Sequence, residues 1–172
     1  MIELKPISIL DDRATVAACI EMDFLPEQNG FVADNSISLA EAYDANKAYA
    51  QKGEGDIAVP YAAYENGIMV GFAMYGYFPP GDADDDEAYC TKEPHYYFWR
   101  LLVDKNHQRR GIGREIVRQV MDTIKAHPNG PAAYCYVSYE PNNIGSKTTF
   151  AHYGFEEDGR VIDGEVVARY AL

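Results

Sequence analysis

What this chain lacks narrows its chemistry first. Its three cysteines, Cys19, Cys90 and Cys135, are odd in number and show no CxxC spacing. Neither a disulfide framework nor a zinc site is expected, and a reducing cytoplasm is the simplest setting. No apolar run of about 18 residues and no secretory core occurs, so membrane spanning and export are not expected. Basic charge is scarce: 15 Lys and Arg stand against 27 Asp and Glu, for a net charge of −12. Nucleic-acid binding rests on phosphate neutralisation and is not expected of such a chain. A cationic small-molecule partner is compatible with it. Internal repeats are absent, and so is the nucleotide P-loop spacing GxxxxGK followed by Ser or Thr.

What is present is an ordinary globular composition, 47% apolar over 172 residues with 14 tyrosines. That length suits one domain spanning 1–172 with a proper core. The most informative stretch runs from Tyr96 to His127. Its near-continuous apolar start, Tyr96 to Val103, has the pattern of a strand buried on both faces. A polar turn over Asp104 to His107 leads into Gln108-Arg109-Arg110-Gly111-Ile112-Gly113. From Arg114 the period becomes helical. Ile116, Val117, Val120, Met121 and Ile124 share one face, opposite Arg114, Glu115, Arg118, Gln119, Asp122 and Lys125. His127-Pro128-Asn129-Gly130-Pro131 ends the helix.

Strand, glycine-containing loop and helix make a physical case for an anion site. Glycine lets backbone approach a ligand, and the first helical turn leaves its N–H groups unpaired at the positive end of the helix dipole. Arg109, Arg110 and Arg114 add fixed positive charge. The plainer alternative is a strand-to-helix turn with a solvated basic patch. The dinucleotide fingerprint GxGxxG fails, because Ile116 stands where its third glycine belongs.

Gln108-x-x-Gly111-x-Gly113, after a buried strand and at a helix start, resembles the acetyl-CoA pyrophosphate loop of the GNAT (GCN5-related) N-acetyltransferases. A second match lies downstream, where Asn143, Ser146, Phe150, Gly154 and Phe155 occupy the places of that family's asparagine, small residue, aromatic and Gly-Phe pair. The resemblance implies an α/β fold with a mixed, mostly antiparallel central sheet, splayed central strands and helices on both faces. It implies acetyl-CoA as co-substrate, with the pantetheine arm in the gap between the splayed strands. By position, Leu101, Leu102 and Val103 would offer backbone hydrogen bonds to pantetheine. Gln108, Arg109, Arg110, Gly111, Ile112, Gly113 and Arg114 would hold the pyrophosphate. Asn143 would bond the pantetheine arm, and Ser146 and Lys147 would lie towards the adenosine. The reaction implied is direct attack of an amine on the thioester, with a backbone N–H such as that of Val103 stabilising the oxyanion. No metal is implied, and a homodimer is allowed, since dimers are common in the family.

Around this centre, Ile2 to Ile7 reads as a strand. Asp11 or Asp12 caps a helix to about Met22, with Val16, Ala17 and Ile20 on one face. Ser38-Leu39-Ala40-Glu41 is a capping-box signature for a second helix to about Gln51. In the GNAT fold these helices and the segment between them wall the acceptor site. Val59 to Tyr64 and Ile68 to Tyr77, joined across Asn66-Gly67, read as a hairpin. Ala132 to Tyr139 is a further strand, a short helix starts at Asn142 to Lys147 and ends at Tyr153, and an apolar strand from Val166 to Leu172 follows a turn at Asp163-Gly164. Asp82, Asp84, Asp85, Asp86 and Glu87 crowd one loop. With Glu93 it approaches a calcium pattern, but Glu87 stands where glycine is required, and a solvated acidic loop is the expectation.

Two departures from the family pattern bear on catalysis. Phe150 occupies the usual place of the general-acid tyrosine, so Tyr153, three residues on, becomes the candidate. Trp99 stands where some polyamine acetyltransferases carry a glutamate. An alkylamine with a pKa of about 10.4 is mostly protonated at neutral pH, so a base is needed, and Glu140 and Glu27 are the candidates. Arg100 interrupts an apolar strand and requires a carboxylate partner. Leu25-Pro26-Glu27-Gln28, Ser38-Leu39-Ala40-Glu41-Ala42-Tyr43 and Phe98-Trp99-Arg100 resemble bacterial spermine/spermidine (diamine) acetyltransferases, which implies a polyamine acceptor. Other readings are an acetyltransferase for a drug, an amino acid or a protein N-terminus, a CoA-binding module without catalysis, and a calcium-responsive binding protein.

Overall fold

The strand centred on Phe72 shows why the chain needs helices on two sides. Strand β3 (Ile68–Phe78) is buried from Val70 to Tyr77, so neither face meets water. Ala73 and Tyr75 face one hydrophobic cluster while Phe72 and Met74 face another, the two-residue alternation of a strand dividing two cores. These features come from a computed structural model that describes residues 1–80 and 93–172. The acidic loop over 82–87, its calcium-like pattern and Cys90 lie outside the described residues.

In chain order the elements are β1 (Ile2–Pro6), α1 (Arg13–Ile20), a 3-10 turn (Pro26–Gln28), α2 (Asn35–Lys52), β2 (Ile57–Glu65) and β3. Then come β4 (His95–Val103), α3 (Ile112–Ile124), β5 (Tyr134–Tyr139), α4 (Ile144–Tyr153), β6 (Glu156–Ile162) and β7 (Glu165–Ala171). They build one seven-stranded sheet in the order β1-β2-β3-β4-β5-β7-β6, antiparallel throughout except for the parallel pair β4 and β5. Helix α3 lays Ile112, Ile116, Val117, Val120, Met121 and Ile124 on one sheet face, each burial stabilising by about 2 kcal/mol. Residues of α1 and α2, among them Cys19, Leu39 and Ala42, cover the other face. The α/β architecture with helices on both faces therefore matches the expectation. Among the described residues, no helix is long and apolar enough to cross a membrane.

Local signals account for most element ends. Asp12 caps α1 by accepting the Thr15 N–H at 3.0 Å. Asn66 and Gly67 turn the β2–β3 hairpin with φ of 53° and 81°, the left-handed pair that a type I′ turn needs. Other boundaries differ from the sequence reading. Helix α2 starts at Asn35 behind Asp34, so Ser38 caps nothing. Its hydroxyl donates back to the Asp34 carbonyl at 3.3 Å, and Glu41 is drawn to Arg100 instead. On α1 the fully buried side chain is Cys19, while Ile20 is 49% exposed. Helix α3 begins two residues before Arg114, at Ile112. Strand β6 has no hydrophobic signature, because it is a sheet edge whose residues face mostly solvent.

Candidate active site

The site begins where β4 and β5 part. They pair only at Tyr96–Cys135 and Tyr97–Tyr136. Beyond that rung the strands separate, and the gap opens into a cleft of about 1090 Å³ lined by Phe98 to Val103 on one side and Val137 to Glu140 on the other. A bulge sharpens the fork. Met74 opposes Arg100 and Tyr75 opposes Phe98, which leaves Trp99 unpaired in the ladder. Trp99 and Arg100 consequently both lean to the α1–α2 face, while Phe98 and Leu101 keep to the α3 face. Arg100 donates to Ser38 at 3.2 Å and to Glu41 at 3.0 Å, so the expected carboxylate partner is present and belongs to α2.

At the mouth of the gap, Arg109 and Gly111 take left-handed φ of 60° and 80°. Turns of this kind point successive amides at one spot and favour an anion. The first intrahelical bond of α3 runs from the Glu115 N–H to the Gly111 carbonyl at 3.2 Å, so the amides of Ile112, Gly113 and Arg114 have no helical acceptor. Arg109, Gly111, Ile112, Gly113 and Arg114 all line the cleft. Among the described residues neither Arg109 nor Arg114 forms an ion pair. The loop is anchored from behind. Asp104 accepts from the Asn106 amide at 2.9 Å and from His107 at 3.2 Å. Partial burial would raise its pKa, but those hydrogen bonds outweigh burial and hold the carboxyl below its ordinary value. Gln108 donates to the Val103 carbonyl at 3.0 Å and to Gln28 at 2.8 Å, tying the loop to the opposite wall.

That wall is the irregular segment between α1 and α2, which contributes Phe24, Leu25, Glu27, Gln28, Phe31 and Val32. Glu140 at the end of β5 lines the cleft as well, so Glu27 and Glu140 do meet in one site. Asn143 caps α4 by accepting the Ser146 N–H at 3.0 Å, and both residues line the cleft.

Three of the expected site residues stand apart. Arg110 is not part of the cleft lining and reaches back to Glu65 at 2.6 Å. Lys147 pairs with Glu157 at 2.9 Å on the far side of α4. Tyr153 packs against Tyr170 at the C-terminal end of α4, with the Lys125 ammonium 5.0 Å from its ring, away from the cleft. Seven residues of helix separate it from Ser146, about 10 Å along the axis. Phe150 is buried in the core against Phe98 and Phe155. The sequence reading also missed residues. Tyr97 of β4, Ser138 of β5, and Asp163 and Glu165 around the β6–β7 turn line the same cleft, and no local motif marks them. Among the described residues, no group of three His, Cys, Asp or Glu is placed to hold a metal ion.

A parallel strand pair thus splays beside a helix N-terminus, and the amides at the mouth of the gap favour an anion. The "Acetyltransferase (GNAT) family" model matches residues 21–155. The chain belongs to this family and is an acetyltransferase. It is 26% identical over 161 residues to the probable spermine N(1)-acetyltransferase of Bacillus subtilis subsp. natto (strain BEST195), covering 93% of each chain. Similarity to the spermine/spermidine N(1)-acetyltransferase of Bacillus subtilis (strain 168) is 25% over the same length and coverage. Among solved structures it shares the fold of aminoglycoside acetyltransferase AAC(6′)-Ib in complex with coenzyme A. The TM-score there is 0.68 at 16% identity, over 99% of this chain and 95% of that one.

Proposed function

We propose that this enzyme transfers the acetyl group of acetyl-CoA to a primary amine of a polyamine such as spermine or spermidine, by direct attack. The observation that carries the reading is the division of charge in one cleft. Arg109 and Arg114 come from the loop and helix that cradle an anion, while Glu27, Glu140, Asp163 and Glu165 come from other walls. A ligand with a polyanionic end and a partner with several ammonium groups satisfy that division together. The names of the two Bacillus relatives point the same way.

The residues present fit coenzyme A. A Cβ at Gly113 would meet only Val103 and Thr149 at 3.6 and 3.9 Å, so the fold itself does not demand glycine there. Close approach of a pyrophosphate to the amide does demand it. Gly111, Ile112, Gly113 and Arg114 would hold the pyrophosphate through their amides, with Arg109 and Arg114 adding charge. The backbone of Leu101 to Val103 would run beside the pantetheine, joined by the side-chain amide of Asn143. Bound there, the co-substrate supplies an activated acetyl thioester. Glu27, Glu140 and Asp163 hold cationic nitrogens of the acceptor, and Trp99 offers a ring face to another. Tyr153 takes no part, and a thiol pKa near about 8.5 lets the thiolate depart without a dedicated acid. The buried, unbridged thiols of Cys19 and Cys135 suit the reducing cytoplasm in which we place the enzyme.

Thiol release from acetyl-CoA, followed across spermine, spermidine, putrescine, an aminoglycoside, an arylamine and a peptide N-terminus, tests the reading. Turnover confined to the polyamines is expected. Preference for the peptide or the arylamine would overturn the acceptor, and silence with all six despite acetyl-CoA binding would favour a binding module without catalysis.

A further inference from the structure

Two side-chain amides join the halves of the cleft. The segment 23–33, which carries Glu27, contains one short 3-10 turn, Pro26–Gln28, between α1 and α2. Among the described residues, the hydrogen bonds that leave this segment all end on residues 104–108. Asp23 meets Lys105 through a backbone bond at 2.9 Å and an ion pair at 2.6 Å, and its N–H reaches Asp104 at 3.5 Å. Those contacts are exposed and lie at the α1 end of the segment. Gln28 makes its bond at the turn itself, where its side-chain oxygen accepts from Gln108 at 2.8 Å. Donor inventory fixes both amides. The Leu25 N–H only donates, so the Gln28 atom 3.0 Å from it is oxygen. The Val103 carbonyl only accepts, so the Gln108 atom 3.0 Å from it is nitrogen. Gln108 thereby joins the last residue of β4, and the loop into α3, to the turn that presents Glu27.

We propose that Gln28 is a positioning residue that couples the two substrates. Residues 103–114, once immobilised around an acetyl donor, also order the Leu25–Gln28 turn through Gln108, and the acceptor then meets a wall already in place. This rests on the polyamine acetyltransferase reading above. The coupling is mutual, because a ligand that helps a second one is helped by it to the same factor. Its source is shared ordering, which needs no change of shape. A single neutral hydrogen bond limits it to about tenfold. Direct attraction between a polyanionic donor and a polycationic acceptor adds a further part. That part does not pass through Gln28 and shrinks in salt.

The test compares wild type with Gln28→Leu, which removes the accepting atom, and Gln28→Glu, whose carboxylate oxygen can accept both bonds. Spermine affinity is measured by calorimetry at about 0.3 M salt, with and without saturating CoA, which carries no acetyl group and permits no turnover. In wild type CoA should tighten spermine about tenfold. The factor should fall to about twofold in Gln28→Leu and return in Gln28→Glu. A wall that is merely damaged would weaken spermine equally with and without CoA. An unchanged factor in Gln28→Leu would therefore overturn the coupling. Hydrogen exchange supplies an arm that needs no acceptor. CoA alone should slow the amides of 103–114 in all three proteins, and those of 24–31 in wild type and Gln28→Glu only. Slowing confined to 103–114 in wild type, a result that needs no variant, would also overturn the proposal. Absence of spermine binding in every protein would sink the acceptor reading instead, with the exchange arm still deciding the coupling.

Discussion

The two sides of the cleft are built by different means. The anion side is nearly contiguous in sequence. Strand end, turn and helix start fall between Leu101 and Arg114, and its principal groups are backbone amides. The carboxylate side takes Glu27 from one loop, Glu140 from a strand end, and Asp163 and Glu165 from a distant turn. Backbone recognition needs only the right φ and an absent Cβ, which a short motif can specify. Side-chain recognition needs charges brought to one place, which only the sheet order achieves.

The sharpest way to break the contrast is Gly113→Ala. Filling that approach should weaken CoA binding by about a hundredfold or more, some 2.7 kcal/mol, measured by calorimetry. The melting temperature should move little, because the added Cβ meets only ordinary contacts. Next, the pair Arg109→Ala/Arg114→Ala should cost about thirtyfold in CoA affinity, roughly 1 kcal/mol per exposed arginine, and the loss should shrink in salt. Arg110→Ala should leave affinity intact, because that side chain is spent on Glu65 at 2.6 Å. Equal losses in all three would mean that the loop acts as a diffuse basic patch.

On the other side, Glu41→Ala should destabilise the fold by about 1–2 kcal/mol in urea unfolding, since it strands the half-buried Arg100 guanidinium. Glu27→Gln and Asp163→Asn should each raise the polyamine KM a few-fold, more at low salt, while the acetyl-CoA KM holds. The smallest effect belongs to a local pair. The Arg118 guanidinium holds Glu115 well below the usual carboxylate range, against partial burial and with help from Gln119. A depressed value stabilises the fold above the unfolded pKa and loses that stability as pH falls through the folded one. Glu115→Gln should therefore lower stability by at most about 0.5 kcal/mol at neutral pH, with the difference vanishing in acid.

Legibility in the sequence followed the same divide. The buried strand, the Gly111–Gly113 loop, the α3 face and the helix start over Asn142 to Lys147 were readable because each is a local pattern. The capping box at Ser38 misled, because α2 already starts at Asn35 and Arg100, 59 residues away, claimed Glu41. Tyr153 looked close to Phe150 by helical spacing, yet the length of α4 carries it away from the cleft. Glu165 had no signal at all. It is an unremarkable acid after a turn until β7 pairs with β5 and sets it against Ser138.

By itself, then, the chain's local chemistry determined that a strand should run into a helix N-terminus fit for an anion. Glycine conformations, apolar periodicity and capping act over a few residues and survive in any context. Tertiary structure alone decided where β4 and β5 part, that the Trp99 bulge turns Arg100 towards α2, and which acids face the gap. Those outcomes depend on strand order and register, and their free energy is shared among residues tens of positions apart, so no window of sequence contains them.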